Sequence, residues 1–406
     1  MKSGIRFSAG VLALVAAIGL ARIANAASTN VIYSFAGEED GEYADSDLAM
    51  DTAGNLYGTT VLGGTVGGGT VFKLAPTPNG WVHTVLYSFT GGADGGEPYK
   101  GVTLDAQGNL YGSAVTGGSG SCEGGCGVVY KLTYSGGTWT QSVVHAFTGG
   151  SDGSGPGARV TIDRHGTLYG MTPTGGAYGL GTIYQIRPNG NGWTFQVIHD
   201  FTGGSDGSSG SAGQMLLRNG RLYGAATAGG SYGKGTVFEL TPTGAGGWTF
   251  KTIYSFKGQP DAGFPYGGLV FDSAGNLYGT TYYDGANNLG AVYELFPRAT
   301  GEWKERVLYS FKGGNDGQNS IGNLVFDAAG NLYGTTSEGG LGSGVIFKLA
   351  PGTNSRWTET VVHQFQGPPD GAFAYNGMVA DEAGNFYGAT VHGGAADEGS
   401  VYQFAP

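Results

Sequence analysis

A ten-residue segment, DSAGNLYGTT at 272–281, recurs along the chain with few changes. Alignment of the copies on their tyrosine gives seven units, with spacings of 54, 58, 54, 55, 55 and 54 residues. The aligned residues are Tyr57, Tyr111, Tyr169, Tyr223, Tyr278, Tyr333 and Tyr387. A fixed period of this length is typical of repeat architectures, so the 406 residues are predicted to form one large domain rather than several.

Each unit holds four short apolar runs separated by turn residues, which is the pattern of β-strands. In the fifth unit the runs are GGLVFD, NLYGTT, GAVYELF and WKERVLYSF, and DSAG joins the first two as a tight hairpin. Four antiparallel strands repeated every ~40 to 55 residues are typical of a propeller blade. The chain is therefore predicted to be all-β, a seven-bladed β-propeller of four-stranded antiparallel blades.

The two ends of the repeat region predict how the ring closes. The segment NVIYSF at 30–35 matches the fourth run of a unit, and SVYQFAP at 400–406 matches the third. We therefore expect one propeller domain over residues 27–406, whose seventh blade is built from 376–406 plus 30–35. This pairing leaves no open sheet edge.

The first 26 residues have the pattern of a secretory signal peptide. Lys2 and Arg6 precede the twelve-residue run AGVLALVAAIGL, and ANA at 24–26 supplies small residues for cleavage near Ala26. The run is shorter than the ~20 residues that span a bilayer, so we expect no membrane span. The predicted location is the periplasm or the exterior, and an uncleaved signal anchor is the alternative.

The charge balance disfavours nucleic acid as a partner. Without Lys2, Arg6 and Arg22 the formal charge changes from −11 to −14, because 17 basic residues then face 31 acidic ones. A strongly acidic protein repels phosphate backbones, whose binding depends on Lys and Arg.

The two cysteines lie close together, at Cys122 and Cys126 in CEGGC. They fall within the one unit whose spacing is four residues longer, so they occupy a local insertion. In an exported protein such a pair favours a disulfide over a zinc half-site, which needs further ligands nearby.

The repeats also resemble a known family. The pattern GNLYGTT, GG, GTVFKL, W and VLYSF resembles the tandem repeat of bacterial GloVer-containing proteins, also called choice-of-anchor repeat proteins. The element D-x-x-G-N-L-Y is similar to NHL-type propeller repeats. The resemblance covers essentially all of residues 30–406 and implies a secreted or surface-located propeller.

A second motif, F-x-G-x-x-D, places one aspartate in the loop that enters the first strand of each blade. It has two interpretations: a ring of carboxylates that binds a cation such as Ca²⁺, or seven turns in which Asp accepts backbone N–H groups. Repulsion between carboxylates ~10 Å apart is only about 0.4 kcal/mol in water, so turn bonds can offset it without a metal. The candidate metal ligands are Asp40, Asp94, Asp152, Asp206, Asp261, Asp316 and Asp370. No other cofactor is expected.

Positions at which the units differ are the better candidates for function, because residues shared by all units are explained by packing. The variable residues after the loop aspartates are aromatic, amide-bearing or charged. Such side chains around a polar funnel can stack on sugar rings and bond their hydroxyls, or they can simply fill the channel mouth. The predicted ligand-binding residues are Tyr43, Asp45, Tyr99, Lys100, Arg159, Tyr266, Asn323, Tyr375 and Asn376.

These features predict a secreted, monomeric binding module for a glycan or a cell-surface protein. One alternative is a metal-dependent lactonase-like or glycan-cleaving enzyme at the central channel, which requires unlike ligands from different blades to meet at the axis. The other is a structural envelope protein. No catalytic residue is predicted, because the histidines fall on different blades and neither a zinc site nor a nucleophile triad is visible.

Overall fold

The computed structural model describes residues 27–210, 213–353 and 356–406. These residues form seven four-stranded antiparallel sheets, which confirms the predicted propeller. We call each sheet a blade, number the blades in chain order from Ala49, and letter the strands a to d from the axis to the rim. The predicted signal peptide, residues 1–26, lies outside the described residues. In the described ranges, no helix has the length and apolar character needed to cross a membrane.

The strands follow one another regularly along the chain. The first, β1 (Ser28–Ser34), belongs to blade 7. Blade 1 contains β2 (Ala49–Met50), β3 (Leu56–Thr60), β4 (Thr70–Thr77) and β5 (Gly80–Ser88). Blade 2 contains β6 (Val102–Leu104), β7 (Leu110–Ala114), β8 (Val128–Ser135) and β9 (Thr138–Ala146). Blade 3 contains β10 (Thr161–Ile162), β11 (Leu168–Thr172), β12 (Thr182–Asn189) and β13 (Gly192–Asp200). Blade 4 contains β14 (Leu216–Arg218), β15 (Arg221–Ala226), β16 (Thr236–Pro242) and β17 (Trp248–Ser255).

The remaining blades include two additional short pairings. Blade 5 contains β19 (Val270–Phe271), β20 (Leu277–Thr281), β22 (Ala291–Pro297) and β23 (Trp303–Ser310). Blade 6 contains β24 (Val325–Phe326), β25 (Leu332–Thr336), β26 (Val345–Pro351) and β27 (Trp357–Gln364). Blade 7 adds β29 (Val379–Ala380), β30 (Phe386–Thr390) and β32 (Ser400–Ala405) to β1. The short pairs are β18 (Ala262–Gly263) with β21 (Tyr283–Asp284), and β28 (Gly371–Ala372) with β31 (His392–Gly393). Single 3-10 turns occur at Glu38–Asp40, Gly244–Gly246 and Gly314–Asp316.

Blade 7 closes the ring with strands from both ends of the chain. Its strand order is β1, β32, β30, β29, and β1 pairs antiparallel with β32 from Ser28 opposite Ala405 to Ser34 opposite Ser400. The predicted closure is confirmed. The backbone groups of β32 are therefore paired on both sides, and no blade edge stays open at the junction.

The core lies between neighbouring blades, and its largest members are rings from strand c. These rings are fully buried at Phe72, Tyr130, Tyr184, Phe238, Tyr293, Phe347 and Tyr402. Each ring tip covers the glycine that follows the aligned tyrosine in strand b. At Gly279, for example, an added methyl group would overlap the ring of Tyr293. The invariant glycine of the repeat is therefore required by close ring packing.

The aspartates that open the D-x-x-G hairpins each organise a turn. Asp51 accepts hydrogen bonds from the backbone N–H groups of Ala53 and Asn55, both at 2.9 Å, and from the amide of Asn55 at 2.7 Å. Burial opposes the charged form, but these donors outweigh it and lower the pKa of Asp51. Blade 4 has Leu217 instead and turns through Asn219 and Gly220, a pair suited to a two-residue hairpin.

The seven F-x-G-x-x-D aspartates lie beside the outermost strands and make turn contacts. Each accepts the N–H of the residue four positions earlier and the side chain of a Tyr or His seven positions earlier. Asp206, for example, accepts Thr202 N–H at 2.9 Å and lies 3.1 Å from His199 Nε2. The same pair of contacts is made by Asp40, Asp94, Asp152, Asp261, Asp316 and Asp370. The motif thus joins each outer strand to the following loop.

Cys122 and Cys126 form a disulfide, as predicted, in the loop between β7 and β8. Cys126 is fully buried and packs in the core between blades 2 and 3 with Phe147 and Tyr184. The insertion is therefore anchored to the core rather than standing free in solvent.

Candidate functional site: the axial mouth

The loops that enter strand a share a strained backbone position three residues after the loop aspartate. Its φ lies between 54° and 65° in all seven blades, at Tyr43, Glu97, Gly155, Ser209, Phe264, Asn319 and Phe373. The left-handed conformation costs a non-glycine residue roughly 1–2 kcal/mol. Its N–H donates to a carbonyl of the preceding blade, as from Tyr43 to Glu398 at 2.9 Å. Contacts between blades therefore fix these loops and the side chains that follow.

Three of these loops enclose a cavity of about 440 Å³ on the face that carries the d-to-a and b-to-c loops. We call this face the loop face and the cavity the mouth cavity. Its polar and aromatic lining comes from Tyr43, Asp45, Glu97, Tyr99, Tyr375 and His392. The size falls within the range of small-molecule sites, and four aromatic rings line a single opening.

Two of the rings, Tyr43 and His392, pack against each other, and all four are partly buried. Tyr43 packs on His392 with ring centroids 4.9 Å apart, and His392 contacts Phe373 at 5.7 Å. Burial raises the pKa of Tyr99, and the charges of Glu97 and Asp45 raise it further. The Tyr99 phenol is therefore a neutral donor at physiological pH.

The mouth cavity rests on a hydrogen-bonded group from three blades. Lys100 Nζ lies 2.8 Å from Asp45 Oδ1 and 3.0 Å from Asn376 Oδ1. The amide of Asn376 donates to the same Asp45 oxygen at 2.8 Å. Burial disfavours the Lys100 ammonium, but the carboxylates of Asp45 and Asp47 outweigh it and raise its pKa. The group is charged, and three side-chain hydrogen bonds between blades hold it in place.

A second polar pair lies next to this group, nearer the axis. Asp47 is 6 % exposed and accepts Asn323 Nδ2 at 3.2 Å and the N–H of Gly377 at 2.9 Å. Asn323 in turn accepts the N–H of Gly268 at 2.5 Å. Loops of blades 1, 5, 6 and 7 are thereby joined across the axis.

Within the channel, a further cavity of about 350 Å³ is lined by Asp47, Thr103, Arg159, Asn323 and the inner strands. We call it the channel cavity. Arg159 Nε donates to Thr103 Oγ1 at 3.1 Å, and burial lowers the Arg159 pKa despite the attraction of Asp47. The half-buried guanidinium also places Nη1 3.5 Å from Leu48 O, and its other N–H donors are available to a ligand in the channel cavity.

The nine predicted ligand-binding residues therefore divide into three groups. Tyr43, Asp45, Tyr99 and Tyr375 line the mouth cavity, and Lys100 and Asn376 form its floor. Arg159 and Asn323 line the channel cavity. Tyr266 lies apart on blade 5, where its ring contacts Tyr282 at 5.5 Å.

Two site residues were not predicted. Asp47 lies seven residues after Asp40, the register that Arg159 and Asn323 occupy in their units, so alignment of the repeats contains the signal. His392 follows strand b of blade 7, and its contact with Tyr43 joins residues almost a whole chain apart, so no local pattern reveals it.

The axis also brings together chemically unlike groups from different blades, at Asp45, Asp47, Asn323 and Asn376. Unlike groups from different blades are what the lactonase-like alternative requires. The Lys100 ammonium bridges Asp45 and Asn376, so a protein cation already supplies a positive charge there. Among the described residues, no group of three or more acidic, His or Cys side chains has the geometry of a metal site.

The sequence profile of the Gloeobacter/Verrucomicrobia repeat matches residues 119–304 and 211–406. The chain belongs to this repeat family. The two matches overlap and together extend from blade 2 to blade 7, so the resemblance seen in the repeats is confirmed. No curated protein matches the chain.

The Gloeobacter/Verrucomicrobia repeat chain is also similar in fold to solved structures. A protein from Lactobacillus plantarum is 14 % identical, with a TM-score of 0.55 over 87 % of this chain and 99 % of that one. An ancestral GH74 enzyme is 12 % identical, with a TM-score of 0.52 over 89 % of this chain and 47 % of that one. At these identities the likeness shows the fold alone.

Proposed function

We propose that this propeller is a secreted binding module that holds an uncharged carbohydrate in the mouth cavity. One observation carries the proposal: rings of Tyr43, Tyr99, Tyr375 and His392 surround one opening above the fixed group of Asp45, Lys100 and Asn376. Aromatic faces stack on sugar rings, while the carboxylate and ammonium groups bond their hydroxyls.

The charge around the opening selects against anionic ligands. Asp45 and Glu97 line the cavity, and the Lys100 ammonium is already engaged by Asp45. An incoming anion would meet net negative charge, whereas a neutral polyol can donate to the carboxylates. The rigid floor also lowers the conformational entropy lost on binding.

A glycan array followed by calorimetric titration of the best neutral oligosaccharide tests the proposal. Tyr99→Ala and Tyr375→Ala each remove a stacking surface and should weaken binding about tenfold, which corresponds to ~1.4 kcal/mol. Tyr178→Ala and Tyr232→Ala are matched controls, because these rings are 63 % and 57 % exposed on other loops. A silent array, or equal losses for control and mouth variants, contradicts the proposal.

A second candidate is a metal-dependent hydrolase of lactonase-like or glycan-cleaving type. It would use the unlike groups that meet at the axis, Asp45, Asp47, Asn323 and Asn376, and a cation there would have to displace Lys100 from Asp45. Metal analysis of the purified chain, together with assays on lactones and oligosaccharides, separates the two functions. A stoichiometric cation with hydrolysis that a chelator abolishes would favour the enzyme. Saturable sugar binding without turnover would favour the binding module.

A further inference from the structure

The opposite face of the propeller carries the a-to-b hairpins and the c-to-d turns, and we call it the hairpin face. Two cavities lie side by side on it, of about 910 Å³ between blades 2 and 3 and about 660 Å³ between blades 3 and 4. Both are lined by Asp163, Arg164 and His165 of the blade 3 hairpin, which stands between them. We call the pair the twin clefts.

Each of the twin clefts has an indole on its wall. Trp193 packs edge-to-face on Tyr111 in the first cleft at 6.1 Å, and Trp248 packs likewise on Tyr169 in the second at 5.8 Å. Both indoles are partly exposed. The clefts therefore present two aromatic surfaces to a single extended ligand that crosses the hairpin between them.

The twin clefts also have one more basic than acidic side chain, although the chain as a whole is strongly acidic. Lys131, Arg164 and Arg187 line them, and none of the three forms an ion pair with any described residue. The neighbouring carboxylates of Asp105 and Asp163 are occupied by N–H donors of their own hairpins. Arg164 Nε donates to the adjacent His165 at 3.1 Å, and Lys131 Nζ lies 5.5 Å from the centroid of the Tyr111 ring. The remaining N–H donors of the three cations are available to an anion from solution.

Comparison of the repeats shows which part of this charge is specific to blade 3. The position of Arg164 also holds an arginine in blade 4, Arg218, but His165 aligns with an uncharged residue in every other unit. The position of Arg187 holds an uncharged residue in every other unit. Packing needs common to all blades do not explain His165 and Arg187, which are present in one blade only.

The cleft between blades 5 and 6 provides an internal comparison. It has about 480 Å³ and the same edge-to-face pair, Tyr278 with Trp357 at 6.1 Å, but Ser273 and Ala328 stand where the hairpin cations would be. This cleft therefore has the same Tyr–Trp pair as the twin clefts but lacks the basic hairpin residues.

We propose that the twin clefts are a second binding site, for an anionic polysaccharide whose carboxylate or sulfate groups pair with Arg164, Arg187 and Lys131. The planar guanidinium groups match both kinds of oxyanion, and the indoles stack on the sugar rings between them. Because the mouth cavity disfavours anions, the two sites take different classes of glycan.

Titration of the full chain with an oligogalacturonide, its methyl ester and a heparin-derived oligosaccharide tests this site, with intrinsic tryptophan fluorescence as the readout. The oligogalacturonide, the sulfated oligosaccharide or both should bind, more weakly at high salt, and the neutral ester should not. The tighter of the two identifies the preferred anion. Equal binding of the ester, no binding of either anionic glycan, or tighter binding of a single-stranded oligonucleotide overturns the proposal.

Substitutions in the twin clefts and elsewhere test whether the anionic glycan binds at the twin clefts. Arg164→Ala combined with Arg187→Ala should weaken anionic binding about tenfold and reduce its salt dependence. Trp357→Ala, in the uncharged cleft, and Tyr99→Ala, in the mouth cavity, should leave it unchanged. Both arginines are exposed, so an unaltered thermal midpoint should accompany the double variant. Unchanged affinity in that variant refutes the site.

Discussion

Replacement of Tyr293 by Phe should stabilise the propeller. The Tyr293 ring is fully buried in strand c of blade 5, and its hydroxyl has no hydrogen-bond partner among the described residues. A buried, unsatisfied hydroxyl costs roughly 1–3 kcal/mol. Phe72, Phe238 and Phe347 occupy the same register in other blades, so the site accepts a phenyl ring without rearrangement.

The expected gain for Tyr293→Phe is about 1 kcal/mol, because loss of some contacts of the oxygen offsets part of the desolvation cost. The same hydroxyl arrangement recurs at Tyr130, Tyr184 and Tyr402. These rings lie on separate blades, so the fourfold variant should gain about 4 kcal/mol if the effects add. The change is read from the urea midpoint at a constant slope.

Tyr278→Phe is the matched control in the same blade, with the opposite expected sign. Its hydroxyl bonds Asp272 Oδ2 and Glu294 Oε1, both at 3.1 Å, so its removal should cost about 1–2 kcal/mol. If Tyr293→Phe destabilises the protein as much as Tyr278→Phe does, the Tyr293 hydroxyl has a partner such as a buried water, and the reasoning is refuted.

Two further predictions concern stability. Burial and the adjacent Asp261 carboxylate raise the pKa of Glu305 from 4.5 to about 9. Between these two pH values the folded chain keeps the Glu305 proton and the unfolded chain loses it, so the free energy of unfolding should fall as pH rises from ~4.5 to 9. In Glu305→Gln the loss of stability between pH 5 and pH 9, measured from urea midpoints, should be smaller by about 1–3 kcal/mol than in the unmodified protein. An equal loss in both proteins would contradict the prediction. Thiol titration of the unfolded, unreduced chain should find no free cysteine. Cys122→Ala with Cys126→Ala should cost about 2 kcal/mol because the disulfide closes a short loop, and an unchanged midpoint would argue against that estimate.

The fold was predictable because the same strand and turn patterns occur in all seven repeats. Hairpin chemistry such as that of Asp51 and Asn55 depends on neighbours in sequence, and the match of residues 30–35 to a fourth strand required no structure. Even Leu217, where the usual aspartate is missing, is accommodated by the adjacent Asn219 and Gly220.

The site was predictable only as a set of candidates, because pairing across the axis depends on which blades face one another. Sequence alignment identified Asp45, Lys100 and Asn376 but not the bonds among them. It also grouped Tyr266 with the mouth residues, although that ring lies beside Tyr282 on blade 5. Asp261 lies in the loop that enters blade 5 and Glu305 lies on the outer strand of that blade, far along the chain, so neither residue reveals the other.

The shared blade determines how this protein can be displayed. Ser28 lies opposite Ala405 at the end of blade 7 that belongs to the hairpin face, so polypeptide preceding the first or following the second leaves from the same spot. If the protein is tethered to a surface through either position, the mouth cavity faces away from that surface and the twin clefts face toward it. A short linker that joins these two positions should therefore allow circular permutation. New termini could then be placed in a distant turn without disrupting the propeller.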